Sequence, residues 1–167
     1  KSVSSRLAAV KAAGGVAKKA IVRRLADKKR SGRKTLSETG ARSVVGFSIY
    51  KDRVTVTLDT SGDGLHKRGY RSLAYTAPLK ETLAAAIIDL SFYRPETDSE
   101  KPFADVFCGS GTLPIEAAMK ALRIAPGAER DFDFRHWECA PDGIFERARE
   151  EAKDKELRGR RVCIRGA

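Results

Sequence analysis

Asp105-Val106-Phe107-Cys108-Gly109-Ser110-Gly111-Thr112-Leu113-Pro114-Ile115-Glu116-Ala117-Ala118 is the stretch on which the reading of this chain turns. It starts at the end of an apolar run, passes two glycines within three positions and becomes a helix-forming run. Residues without a Cβ are favoured where a turn is tight or where a ligand approaches the backbone. Strand end, glycine turn and helix start therefore follow in order. Such a turn presents backbone N–H groups to a small ligand.

Outward from this turn, Phe103 to Phe107 reads as a short buried strand and Leu113 to Leu122 as the helix after it. A long loop with Pro126, Gly127, Phe132, Phe134, Trp137 and Pro141 leads to a charged helix from Asp142 to Leu157, and Arg161 to Ile164 reads as a further strand. Upstream, Pro78 suits a first helical turn, and Leu79, Leu83, Ala86, Ile87 and Leu90 form one stripe, which predicts a helix from Pro78 to Phe92. Arg94 to Ser99 is a polar loop. Helix, strand, helix, helix, strand is the opening of an α/β unit with parallel strands. Such a sheet needs more strands to bury both faces, so it is expected to continue past Ala167.

The first third has another character. Val16, Ala20, Val22, Leu25 and Ala26 fall at helical spacing among Lys18, Lys19, Arg23 and Arg24, predicting a basic amphipathic helix over 15–28. Gly14-Gly15 is expected to separate it from a shorter helix, Ser4 to Ala12. Val44 to Ile49 and Val54 to Leu58 read as two strands of a hairpin around Tyr50-Lys51-Asp52-Arg53. Thr60 to Gly64 is a turn cluster, and Leu65 to Arg71 is a dense basic and aromatic segment at which a domain junction is expected.

The chain has 167 residues and a net charge of +11, and the excess is concentrated in residues 1–34, where only Asp27 opposes the lysines and arginines. A polyanionic partner is the natural inference. A solvated helix face and a basic transit peptide are the alternatives for the same residues. Cys108, Cys139 and Cys163 are odd in number and form no C-x-x-C pair, so neither a disulfide framework nor a zinc site is indicated, and a reducing cytoplasm is expected. The longest apolar run, around Leu83 to Leu90, is far shorter than the roughly 20 residues a membrane span requires.

Three ligands suit a strand, glycine turn and helix. A phosphate-cradling loop would need a lysine after Gly111, and none is there. The dinucleotide fingerprint would need a small residue where Pro114 stands. S-adenosylmethionine carries an ammonium that Asp105 can pair and a carboxylate that the helix N-terminus can face. A bare structural turn, with Thr112 as a helix cap, is the plain alternative.

The fourteen-residue string resembles motif I of the RNA guanine-N2 methyltransferases formerly described as adenine-specific DNA methylases, most closely the bacterial 23S rRNA large subunit methyltransferase L family. Asp59-Thr60-Ser61-Gly62-Asp63-Gly64-Leu65-His66-Lys67-Arg68-Gly69-Tyr70-Arg71 with Ala77-Pro78-Leu79-Lys80-Glu81-Thr82-Leu83 resembles the link from an RNA-binding THUMP domain to the helix of motif X. Val16 to Val22 and Glu38-Thr39-Gly40-Ala41 are similar to the later part of a THUMP domain, and Phe132 to Trp137 to the loop after motif I. The resemblance implies a partial α+β THUMP domain over 1–65, a linker over 66–77, and the first part of a Rossmann-like methyltransferase domain over 78–167. It implies S-adenosylmethionine as cofactor, held by Pro78, Leu79, Asp105, Phe107, Cys108, Gly109, Ser110, Gly111, Thr112 and Glu116. RNA, 23S rRNA first among candidates, is expected against Lys18, Lys19, Arg23, His66, Lys67, Arg68 and Arg71; no membrane and no metal partner are expected.

The family's acidic ribose-binding residue and its Asn-Pro-Pro-Tyr-type catalytic motif have no counterpart in these residues, so no catalytic residue is assigned and the isolated chain is expected to be inactive. A tRNA guanine-N2 methyltransferase and a non-catalytic RNA-binding module are the alternatives. Cys108 reads as a small packed side chain, Tyr70 and Tyr75 as packed aromatics, Asp131 and Asp133 as loop acids, and Phe132, Phe134 and Trp137 as cover for the sheet.

Overall fold

A computed structural model describes residues 2–6, 9–28, 40–71, 78–95 and 101–167, which divide into two compact units, Lys1–Gly62 and Asp63–Ala167. Glu38, Thr39, Tyr75 and the presumed linker residues 72–77 lie outside the described residues.

In the first unit, β1 (Ser2–Val3), α1 (Val10–Lys28), β2 (Val44–Tyr50) and β3 (Arg53–Asp59) follow in order. β2 and β3 form the expected antiparallel hairpin, from Val44 opposite Asp59 to Tyr50 opposite Arg53. Lys51 and Asp52 both have positive φ, 49° and 59°, the tight two-residue turn whose twist matches that of paired strands. β1 adds to the other side of β2 in parallel.

The helical expectations for this unit need three corrections. α1 runs through Gly14 and Gly15 without a break. Nothing lies within 4 Å of a Cβ built at either position, so these glycines cost only propensity, about 1 kcal/mol each. The separate helix expected from Ser4 to Ala12 is not formed: Val10 to Ala12 belong to α1, and the hairpin turn captures Ser5 and Arg6. Arg6 N–H donates to Asp52 Oδ1 at 2.9 Å, and Asp52 N–H donates to Ser5 Oγ at 3.0 Å. The apolar stripe is also misplaced: Val16 is 69% exposed, while Ala13 is buried.

The second unit holds α2 (Glu81–Leu90), β4 (Phe103–Asp105), α3 (Thr112–Ala121), a 3-10 turn (Asp133–His136), α4 (Ile144–Asp154) and β5 (Ile164–Gly166). β4 and β5 are parallel, with Phe103 opposite Ile164 and Asp105 opposite Gly166. Ile88, Tyr93, Ala117 and Ala121 form the core, with Phe103, Leu113, Val162 and Ile164 packed on it. Ala84 with Ile88 and Ala117 with Ala121 are pairs four apart, each on one helix face. The alanines let α2 and α3 approach closely.

Both strands differ from expectation at their ends. The chain leaves β4 at Asp105, because Phe107 N–H donates to Asp105 Oδ1 at 3.1 Å. A carboxylate bonding its own backbone two residues on makes a turn. Phe107 consequently stands 92% exposed rather than buried. Pairing in β5 starts later than Arg161 because the preceding segment is anchored on the end of α3. Leu157 N–H donates to Leu122 O at 2.9 Å, and Arg160 donates to the carbonyls of Ala121 and Pro95. Past the strands, the chain is still tied across by Cys108 N–H to Ala167 O at 3.0 Å. Phe132, Phe134 and Trp137 cluster with Phe145 of α4, ring centroids 5.2 to 6.2 Å apart.

Candidate cofactor turn

The turn forms as its glycines dictate. Gly109 and Gly111 have φ of 51° and 72°, the left-handed region that costs other residues roughly 1–2 kcal/mol. Gly111 N–H donates to Cys108 O at 2.7 Å, closing the turn, and Ile115 N–H donates to Gly111 O at 2.9 Å, opening α3. Gly111, not Thr112, is the helix cap. A Cβ at Gly109 would meet nothing within 4 Å, so there is room for a ligand against this backbone. Cys108 is wedged toward β5: a Cβ at Gly166 would lie 3.0 Å from its Sγ. That agrees with a small packed side chain. Ser110 and Thr112 hydroxyls are 3.1 Å apart.

Half-buried Asp105 beside an open glycine face and the positive end of a helix suits an amino-acid tail, with an ammonium for the carboxylate and a carboxylate for the helix N-terminus. The donor set therefore fits S-adenosylmethionine.

Beneath the turn lies a polar network that the sequence reading did not foresee. Arg71 Nη2 donates to Leu79 O at 3.1 Å and to Thr112 Oγ1 at 2.8 Å, and lies 3.5 Å from Glu81 Oε1. It therefore joins the start of α2 to the start of α3. One turn further along α3, Glu116 accepts from Tyr70 Oη at 2.8 Å and pairs with Arg68 Nε at 3.2 Å. The Arg68 and Glu116 side chains are only 9% and 3% exposed. Burial pushes the Glu116 carboxyl above its usual value, against the lowering pull of the Tyr70 hydrogen bond and the Arg68 charge. Burial, with the Glu116 carboxylate beside it, also raises Tyr70, which stays a hydrogen-bond donor.

This network relocates several expected site residues. Asp105, Cys108, Gly109, Ser110, Gly111 and Thr112 are gathered at the turn, and Arg71 ties Leu79 to them. Phe107 leaves the strand end for solvent. Glu116 faces Arg68 and Tyr70 under α3. Arg68 and Arg71, expected against RNA, are turned inward as ion-pair partners of Glu116 and Glu81. His66, Lys67 and Pro78 line a cleft of about 500 Å³ with Lys80, Glu81 and parts of Arg68 and Arg71, and Lys67 pairs with Asp63 at 3.2 Å. Lys18, Lys19 and Arg23 are exposed on α1 in the first unit.

Sequence reasoning also missed Arg130. It is 6% exposed and donates to the carbonyls of Asp63, Gly64 and Lys67, holding the segment before Arg68 in place. Asp131 pairs with His136 at 2.6 Å, and that hydrogen bond lowers its carboxyl. A signal existed for Glu116: an acid next to Ala117 on the buried stripe of a helix must find partners. Among the described residues no cluster of three His, Cys, Asp or Glu side chains is placed to hold a metal, and no helix is long and apolar enough to cross a membrane.

Residues 68–167, from Arg68 of the network to the end of β5, match the model of UPF0020, described as "RMKL-like, methyltransferase domain". The chain belongs to this family. It is 46% identical over 155 residues to the "Putative RNA methyltransferase YpsC" of Bacillus subtilis (strain 168), covering 93% of this chain and 39% of that protein. It is 45% identical over 130 residues to the "Ribosomal RNA large subunit methyltransferase K/L" of Magnetococcus marinus, covering 77% of this chain and 18% of that protein. Among solved structures, SMU.472, "a putative methyltransferase complexed with SAH", matches with a TM-score of 0.87 at 42% identity over 99% of this chain and 42% of that one. The chain thus spans less than half the length of these relatives. The match covers the turn, the Arg71 network and both parallel strands, so the site lies inside the family's domain.

Proposed function

We propose that this chain forms part of an S-adenosylmethionine-dependent RNA methyltransferase, and that its glycine turn holds the amino-acid end of the cofactor. One observation carries the reading: the open backbone at Gly109, between the Asp105 carboxylate and the N-terminus of α3, in a family with a relative crystallised with SAH. Asp105 would pair the ammonium, and Ser110 and the first N–H groups of α3 would face the carboxylate. Pro78 and Leu79 would form one wall. The bound cofactor supplies a methyl group on a sulfonium, open to in-line attack by an amine, so most of the protein's contribution is positioning.

The substrate we infer is RNA, with guanine N2 of 23S rRNA as the target. The large-subunit relative and the basic face of α1 support it. Residues 1–65 would act as part of a THUMP RNA-binding domain, with Lys18, Lys19 and Arg23 on phosphates, contacts that position RNA without reading its sequence. His66 and Lys67 remain in this role, whereas Arg68 and Arg71 leave it for the inner network, as Glu116 leaves the cofactor contacts. Titration calorimetry of the chain with S-adenosylhomocysteine tests the pocket: micromolar binding is expected, and heats that never exceed dilution would refute it. Incubating the parent protein with 23S rRNA or tRNA and tritiated cofactor, then analysing nucleosides, tests the substrate. Label in N2-methylguanosine from tRNA alone would overturn the 23S assignment.

A further inference from the structure

The buried arrangement around Arg71 links the glycine turn to the start of α2. Thr112, 3% exposed, receives a hydrogen bond from a guanidinium, which has donors and no acceptor. Its oxygen must therefore spend a lone pair on Arg71 Nη2 at 2.8 Å. The Ser110 hydroxyl lies 3.1 Å from the same oxygen, and either hydroxyl can donate to the other. Ser110 sits in the turn between Gly109 and Gly111, one contact away from Arg71. Arg71 is held by Glu81, the first residue of α2, and by Leu79 O just before that helix. Hydrogen bonds in a poorly hydrated setting polarise one another, and a charged donor at the head of the chain strengthens the rest.

We infer that Arg71 is a positioning residue that acts through Thr112 and Ser110 on the carboxylate end of the cofactor. This rests on the proposed pocket. The relay fixes the Thr112 hydroxyl against which Ser110 rests, and with it the place of Ser110 in the turn. It also ties the height of the turn to α2, because one guanidinium nitrogen spans both helix starts. The effect is local to the ligand's amino-acid tail.

That locality gives the test. S-adenosylhomocysteine carries the amino-carboxylate tail and 5′-methylthioadenosine lacks it. Calorimetry with both compounds is run on the wild-type chain, on Arg71→Lys, which keeps the charge but not the planar fork, and on Thr112→Val, which keeps the shape and removes the hydroxyl. Both variants should lose about tenfold in affinity for S-adenosylhomocysteine, the size of one charge-assisted hydrogen bond, and stay within about twofold for 5′-methylthioadenosine. A merely structural role would weaken both compounds alike, and that result overturns the inference. So does unchanged binding of S-adenosylhomocysteine by the variants. Should Arg71→Lys lose its far-ultraviolet dichroism, Thr112→Val decides, since it leaves the Arg71–Glu81 pair intact. Failure of the wild-type chain to bind either compound overturns the pocket itself and the relay with it.

Discussion

Replacing Arg68 with methionine tests whether Glu116 is held charged under α3. The two side chains are 9% and 3% exposed and 3.2 Å apart. Methionine keeps much of the volume and removes the cation. Glu116 would keep only the Tyr70 hydroxyl as a partner. Breaking a buried pair by deleting one member costs about 3–5 kcal/mol, because the remaining charge is uncompensated. For a unit of this size each kcal/mol is roughly 4–8 °C in melting temperature, so a loss of about 12–40 °C is expected.

The pH dependence carries the sharper test. The folded-state Glu116 carboxyl already lies above its ordinary 4.5, because burial outweighs the lowering by Tyr70 and Arg68. Removing Arg68 takes away one lowering influence and moves it higher. A group whose folded value is raised contributes stability that is fully present below the unfolded value and is lost as pH rises through the folded one. The Arg68→Met deficit should therefore be largest near pH 8 and shrink towards pH 5, as the pH falls towards the raised Glu116 value. Urea unfolding of wild type, Arg68→Met and Arg68→Met/Glu116→Gln at both pH values measures it. The double variant should recover at least half of the loss at pH 8, since glutamine mimics the protonated acid. A deficit independent of pH, with no recovery in the double variant, would refute the reasoning.

Three further outcomes follow from the same geometry. Asp105→Asn keeps the acceptor for Phe107 N–H and removes the charge, so S-adenosylhomocysteine affinity should fall about tenfold with little change in melting temperature; equal affinity by calorimetry would remove Asp105 from the site. Gly111→Ala places a Cβ at φ 72°, with only Ile115 Cδ1 at 3.7 Å, so strain alone should cost about 1–2 kcal/mol, read as a lower urea midpoint at unchanged slope. Lys18, Lys19 and Arg23 changed together to alanine should weaken RNA binding and flatten its salt dependence by about 0.7 in log–log slope per lost phosphate contact for single strands; fluorescence anisotropy in a salt series tests this, and an unchanged slope would exclude α1 from the interface.

Much of the second unit was legible because periodicity and turn chemistry agree there. The helical spacing of Leu83 and Ile87, the glycines at 109 and 111 and the apolar run from Phe103 each pointed to one element type, but the stripe named the wrong face of α2, which buries Ala84 and Ile88 and leaves Leu83, Ile87 and Leu90 exposed. Strand ends were misjudged, since Asp105 bonding its own backbone ends β4 two residues early, and no hydropathy pattern encodes that bond. The first unit misled more. Gly14-Gly15 looked like a break, yet an exposed glycine only weakens a helix. Ser4 to Ala12 has helical composition, but Ser5 and Arg6 bond instead to Asp52, forty-odd residues along the chain.

Arg68 and Arg71 show the limit of reading charge from composition. In a run with His66 and Lys67 they look like a surface built for phosphate, and nothing local distinguishes a solvated arginine from a buried one. The distinction lies in Glu81 and Glu116, two acids on buried helix faces that cannot stay there without cations. Those acids and arginines are separated by 10 and 48 positions, so only the fold brings them together. The pairing also answers a mechanical need. Ala84, Ala117 and Ala121 let α2 and α3 approach closely, but apolar contact is non-directional and leaves α3 free to slide along its axis. A slide of one residue would carry Gly111 about 1.5 Å from its place, enough to spoil a hydrogen-bonding site. Directional bonds from Arg71 to Thr112 and from Tyr70 to Glu116 oppose that slide at two successive levels of the helix. Residues that never reach a ligand can therefore decide whether the glycine turn fits one.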